Sequence, residues 1–144
     1  METNVNNDFE TRTDDFSDNR ESTQLERRIS YEDKSEYVGT ILKGQRHGKG
    51  IFKGNNGLTY EGEWKNDNYH GYGKLNIDEN SVYTGNFVHG KKEGQGKLVL
   101  DEGKLVYDGD FINDEKHGIA KENYPDGSYY EGNFENSKKC GRGN

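Results

Sequence analysis

The sequence contains one cysteine, one proline, one tryptophan and one alanine in 144 residues, and Leu, Ile, Val and Phe together supply only 25. A single cysteine, Cys140, permits no internal disulfide. Aliphatic content this low sits under the roughly 20% below which a charged chain is usually disordered, and it excludes a large globular core. No apolar run is long enough for a signal peptide or a membrane-spanning helix, and Glu2 excludes N-myristoylation, so the default expectation is a reducing, cytoplasmic compartment. Strong positive charge is missing too. The formal net charge is −7. Residues 1–36 carry 11 acidic and 5 basic side chains, whereas residues 37–144 carry 16 and 15. A near-neutral body lacks the broad basic field of a nucleic-acid binder.

Glycine, at 20 residues, and tyrosine, at 10, are what the chain has in excess. They recur on a period. Tyr37/Gly39, Tyr60/Gly62, Tyr83/Gly85, Tyr107/Gly109 and Tyr130/Gly132 repeat the same pair at spacings of 23, 23, 24 and 23 residues. A fixed period in the twenties is the signature of one small unit stacked on itself. The second unit shows the logic. In Tyr60-Glu61-Gly62-Glu63-Trp64, strand alternation puts the rings on one face and the carboxylates on the other, and a polar segment then leads into Gly71-Tyr72-Gly73-Lys74-Leu75. That pattern predicts an antiparallel hairpin with one apolar and one charged face. Glycine inside a strand weakens it unless something needs the room, and a ring from the neighbouring unit lying on the backbone is the expected occupant.

Asn55-Asn56-Gly57, Asp78-Glu79-Asn80, Asp101-Glu102-Gly103 and Pro125-Asp126-Gly127 supply turn chemistry between units. The third connection has an extra residue, which predicts a bulge or a wider turn. Residues 1–36, rich in Asn, Asp, Glu, Ser and Thr, read as an acidic tail that is mostly disordered. Leu25 and Ile29 stand at i and i+4 and allow a short helix over 23–33. Within it, Arg27-Arg28-Ile29-Ser30 resembles a site for a basophilic kinase, against the simpler reading of a charged tail.

Tyr-x-Gly-x-Trp/Phe, a polar loop and then Gly-x-Gly resembles the MORN repeat (membrane occupation and recognition nexus), and the resemblance covers residues 37–144 in five units starting near 37, 60, 83, 107 and 130. Ile41 replaces the second aromatic in the first unit. The fourth unit has Ala120 for its last glycine and Glu122 where Phe52, Leu75 and Leu98 stand elsewhere, which predicts the weakest junction there. The resemblance implies an all-β, elongated, single-layer antiparallel sheet of repeated hairpins with an aromatic groove. It also implies a stand-alone, non-enzymatic scaffold making protein contacts in a cytoskeletal or ciliary assembly, such as an axonemal radial spoke. Candidate partner-binding residues are Tyr60, Trp64, Tyr83, Phe87, Tyr107, Phe111, Tyr130 and Phe134.

The alternative is a peripheral membrane adaptor. The odd-numbered loops carry Lys43 and Arg46, Lys91 and Lys92, and Lys138 and Lys139, an arrangement suited to anionic lipid or an acidic partner, although scattered solvated charge is the simpler reading. His47, His70, Glu93, His117 and Cys140 share one position of the unit, but successive members about 10 Å apart cannot share a zinc, so no metal and no other cofactor is expected. Gly-x-Gly opens no helix and its middle residue varies, which argues against nucleotide or RNA binding. Glu61/Glu63 and Asp108/Asp110 face outward with no pocket to desolvate them, and no catalytic residues are expected. The last unit stops at Cys140-Gly141-Arg142-Gly143-Asn144, so its return strand is short, and the resulting open edge is expected to take up a partner or a second copy.

Overall fold

The fold is described from a computed structural model, which describes residues 4–5 and 25–141. Twelve strands form one antiparallel sheet in which each strand pairs with its neighbours in sequence. They are β1 (Asn4–Val5), β2 (Leu25–Ser30), β3 (Glu36–Leu42), β4 (Gln45–Lys53), β5 (Thr59–Lys65), β6 (Asn68–Asp78), β7 (Ser81–Val88), β8 (Lys91–Leu100), β9 (Leu105–Ile112), β10 (Glu115–Asn123), β11 (Tyr129–Glu135) and β12 (Lys138–Cys140). Each repeat is a hairpin. Among the described residues there is no second sheet, so a side chain can be buried only against the same layer or against the next unit.

The hairpins close in two residues, much tighter than the polar segments suggested. Lys43 and Gly44, Asn66 and Asp67, His89 and Gly90, Asn113 and Asp114, and Asn136 and Ser137 all have positive φ. This is the type I′ geometry whose twist matches paired strands, and Asn and Gly tolerate it best. Each of the last four turns is tied to the preceding unit by a backbone bond: Asp67 N–H donates to Arg46 O at 3.0 Å, Gly90 to Tyr69 at 3.1 Å, Asp114 to Lys92 at 3.0 Å and Ser137 to Lys116 at 3.1 Å. The extra residue of the third connection is absorbed by a 3-10 turn over Asp101–Gly103, with Asp101 and Glu102 in the left-handed region.

The N-terminal boundary differs from expectation. Residues 25–30 form strand β2, paired residue for residue with β3 from Leu25 opposite Ile41 to Ser30 opposite Glu36, and no helix forms there. An i, i+4 apolar pair stabilises little by itself, whereas β3 offers an open edge and a ring face on which Ile29 and Tyr31 pack. The array thus begins at Leu25. The rest of the expected tail, 1–3 and 6–24, lies outside the described residues.

Candidate interaction surfaces

One face of the sheet is an unbroken chain of edge-to-face rings. From Tyr37 it runs through Trp64, Tyr60, Phe87, Tyr83, Phe111, Tyr107 and Phe134 to Tyr130, with successive centroids 5.0–5.5 Å apart. Tyr60, Tyr83 and Tyr107 each touch the Trp or Phe of their own unit and that of the next, Tyr37 touches that of the next unit and Tyr130 that of its own, so the ring chain is both the core and the glue between repeats. The tyrosine hydroxyls each donate to the carbonyl three residues on, at Thr40, Glu63, Asn86, Asp110 and Asn133, over 2.6–3.1 Å. Burial disfavours the phenolate and pushes the pKa values of Tyr37, Tyr60 and Tyr83 well above the ordinary phenol value, and that of Tyr107 up to about 12.

Beneath the rings runs a row of paired glycines: Gly39, Gly50, Gly62, Gly73, Gly85, Gly96 and Gly109. The rings do not cover the next unit's glycines, as the sequence suggested. Tyr37 lies on Gly50, Tyr60 on Gly73 and Tyr83 on Gly96, all within one unit, because a hairpin places its return strand directly under its own tyrosine. The two glycines of each Gly-x-Gly also differ in role. Gly48, Gly71, Gly94, Gly118 and Gly141 have φ of 66–80° at a bulge, whereas the second glycine makes space for the ring.

Seven of the eight nominated contact rings are buried, and only Tyr130 is partly exposed. A partner on this face meets their covers instead. Arg46 lies over Trp64, with its guanidinium 4.7 Å from the ring centroid, and pairs with Asp67 at 2.9 Å. Tyr69 stacks on Tyr60 at 4.0 Å. Lys92 sits over Tyr83 and reaches Asp114 at 3.7 Å, Lys116 lies over Tyr107, and Lys139 over Tyr124 and Tyr130. These five share one position of the repeat, at spacings of 23, 23, 24 and 23 residues. The period alone could have found them. Arg46, Lys92 and Lys139, nominated for lipid or acidic partners, therefore have their charge engaged on rings, while Lys43, Lys91 and Lys138 are exposed. Lys116, in an even unit, does the same work, so the expected odd–even alternation does not hold for this column.

The fourth unit is filled by charge. Glu122 is 5% exposed, accepts from Lys116 Nζ, and accepts the Tyr124 hydroxyl at 2.9 Å. Ala120 takes the place of a glycine, and its Cβ occupies the room that a side chain on Gly109 would need.

The opposite face is not simply a charged plane. Along the glycine row in the first three units lies a groove of about 670 Å³, with Val38, Ile51 and Tyr72 as apolar walls and Glu61, Glu63, Lys49 and Lys74 at its margins. Glu61 and Glu63 thus border a concavity, where a featureless surface was expected. Tyr72, at 61%, is the most exposed ring among the described residues. Cross-strand charges alternate beyond it: Glu61 opposes Lys74, and Asp108 opposes both Lys97 and Lys121, which also opposes Glu131. Among the described residues, no cluster of His, Cys, Asp and Glu could hold a metal, and no helix is long and apolar enough to cross a membrane. At the C-terminal side, among the described residues, β12 pairs with Asn133–Glu135 only; the last residues of the return strand expected to be short, 142–144, lie outside those described.

A sequence-family model, the MORN repeat, matches residues 37–59, 60–76, 83–104, 107–129 and 130–143. The chain belongs to the MORN-repeat family. MORN repeats are non-catalytic and typically bind proteins or membranes. The matched units coincide with the hairpins β3–β4 through β11–β12, so β2 is an addition ahead of the first repeat. No curated protein matches the chain.

Proposed function

We propose that this MORN-repeat array is a non-enzymatic scaffold that holds other proteins in a cytoskeletal or ciliary assembly, and that the groove over the glycine row is its principal contact surface. One observation carries the reading: the ring face is spent on holding units together, whereas Val38, Ile51 and Tyr72 stand exposed around a trough of bare backbone. Exposed apolar walls rimmed by alternating charge suit a protein segment, with burial supplying affinity and the charges supplying register.

Lipid contact ranks second. Lys43, Lys91 and Lys138 recur every two units, about 20 Å apart at ordinary strand spacing, which is a thin patch for an anionic membrane. The test is fractionation after detergent extraction. The wild-type chain is expected with the insoluble cytoskeleton, and Ile51→Ser with Tyr72→Ser is expected to release it without a change in melting temperature. Retention of that variant would remove the groove from the reading. Partition with membranes, lost in Lys43→Glu/Lys91→Glu/Lys138→Glu, would favour the lipid reading instead.

A further inference from the structure

Arg27, Arg28 and Ser30 are not used by the ring-and-glycine architecture, and they lie with Ile29 in β2, before the first matched repeat. β2 is paired with β3 along its whole length, but on its other side, among the described residues, only Asn4 and Val5 pair, opposite Ser30 and Ile29. Strand alternation sends Leu25, Arg27 and Ile29 to one face and Glu26, Arg28 and Ser30 to the other. On the first, Ile29 packs against the rings, while Arg27 Nε is buried with no hydrogen-bond partner. On the second, Arg28 Nη1 lies 3.6 Å from Glu36 Oε2, and Ser30 is the cross-strand partner of that same Glu36. Beyond the backbone ladder to β3 and the packing of Ile29, the side-chain clasp on the second face is one exposed ion pair with a serine hydroxyl beside it, while the guanidinium nitrogen on the first face, unpartnered among the described residues, weighs against burial there.

We propose that Ser30 is a phosphorylation site for an arginine-directed serine kinase, and that its phosphorylation releases β2 from the N-terminal edge of the sheet. Arginines two and three residues before the serine suit the acidic substrate cleft of such an enzyme, and β2 supplies them on an extended backbone. Arg27, part-buried with its Nε covered, becomes fully accessible when β2 lifts, so the kinase takes the open form, and modification holds it open. In the transfer, Ser30 Oγ bonds to the γ-phosphorus of ATP, the bond from that phosphorus to the bridging oxygen breaks, ADP leaves and the hydroxyl proton is released. The new dianion faces Glu36 across the pair and competes for Arg28. Glu32 and Asp33, both exposed in the following turn, add like charge nearby. Lys53, the partner of Glu36 on β4, stays with the array, so the β2–β3 contact weakens and β3–β4 does not. Release uncovers the hydrogen-bonding edge of β3, a template for an extended strand from a partner.

The experiment treats the 144-residue chain with ATP and the catalytic subunit of cAMP-dependent protein kinase, then reads intact mass and hydrogen exchange. One phosphate is expected, absent in Ser30→Ala and strongly reduced in Arg27→Gln. Amides of residues 36–42 should then exchange about fivefold faster, the upper range for like charges opposed across strands, with residues 83–88 unchanged. Glu36→Gln should blunt that acceleration while leaving incorporation intact. Failure of the folded chain to accept phosphate, phosphate that persists in Ser30→Ala, or unchanged exchange at 36–42 in the phosphorylated chain would each overturn the proposal.

Discussion

The ring of Tyr83 occupies the space that a Cβ on Gly96 would need, and its hydroxyl reaches past that glycine to donate to Asn86 O at 2.9 Å. The same pairing joins Tyr37 with Gly50 and Tyr60 with Gly73. A glycine here is half of a tyrosine's binding site. The neighbouring glycine of the pair serves only the backbone, since a Cβ on Gly94 would meet nothing closer than 4.0 Å.

That division makes a prediction about substitutions. A Cβ on Gly62 would lie 2.5 Å from Gly73 Cα and 2.7 Å from both Tyr60 Oη and Tyr72 O. Gly62→Val is therefore expected to cost about 3 kcal/mol or more, and Glu61→Val, which removes one charge opposite Lys74, under about 1 kcal/mol. Gly94→Ala should fall between them at about 1–2 kcal/mol, from its left-handed backbone alone. Urea denaturation of the three variants checks the order, and equal midpoints for Gly62→Val and Glu61→Val would refute the packing account.

The buried pair of the fourth unit predicts non-additivity. Lys116→Met alone leaves Glu122 with only the Tyr124 hydroxyl and should destabilise the chain by about 3 kcal/mol, whereas Lys116→Met with Glu122→Leu should be neutral or stabilising. Leucine at that place is what the second and third units carry, as Leu75 and Leu98. A double-mutant cycle by chemical denaturation measures the coupling, and additive losses would show that the pair acts as two independent surface charges.

Alkali should unfold the array. Tyr37, Tyr60, Tyr83 and Tyr107 all hold their protons more tightly when folded, chiefly because burial disfavours the phenolate. The unfolded phenols titrate near pH ~10, so above that pH the unfolded chain binds fewer protons than the folded one and stability falls as pH rises. This contribution is fully present below about pH 10 and is lost through the folded values, of which that of Tyr107 is about 12. Melting temperature is expected to be insensitive to these four groups up to about pH 9 and to drop steeply beyond about pH 10. A flat profile to pH 12 would contradict it.

Arg46 and Lys43 should separate structure from surface charge. Arg46→Glu removes the cover of Trp64 and places a carboxylate beside Asp67, and it should lower stability by about 1–2 kcal/mol. Lys43→Glu, at an exposed turn position, should stay within about 0.5 kcal/mol and alter only salt-sensitive liposome binding. Thermal melts and vesicle sedimentation on the same two proteins distinguish the effects.

The C-terminal edge carries a further expectation, that the chain self-associates there. Asn133–Glu135 of β11 pair with β12, while Tyr129–Gly132 have no partner on that side among the described residues. Amides on that side of 129–132 should exchange fast in dilute solution and slowly at concentrations where sedimentation shows an assembly. Strong protection of 129–132 in the monomer would mean that the edge is already closed.

Much of the architecture was legible because a 23-residue period leaves little freedom. Tyr-x-Gly-x-Trp/Phe and Gly-x-Gly can alternate as one hairpin with a ring face, and stacking such hairpins yields a single sheet. Local sequence determined the bulge glycines and the turn residues for the same reason, since φ is a property of one residue and its neighbours. What only the tertiary structure decided depends on which atoms meet across strands. A hairpin register put each tyrosine on its own glycine. Burial turned the rings from contact residues into core and drew Arg46, Lys92, Lys116 and Lys139 onto them as covers, because a cation on a ring gains more than a cation left in water at a crowded edge. The same register left Val38, Ile51 and Tyr72 around a trough on the opposite face. Leu25–Ser30 became a strand through the open edge of β3, a partner outside the segment that no local pattern in 25–30 could announce.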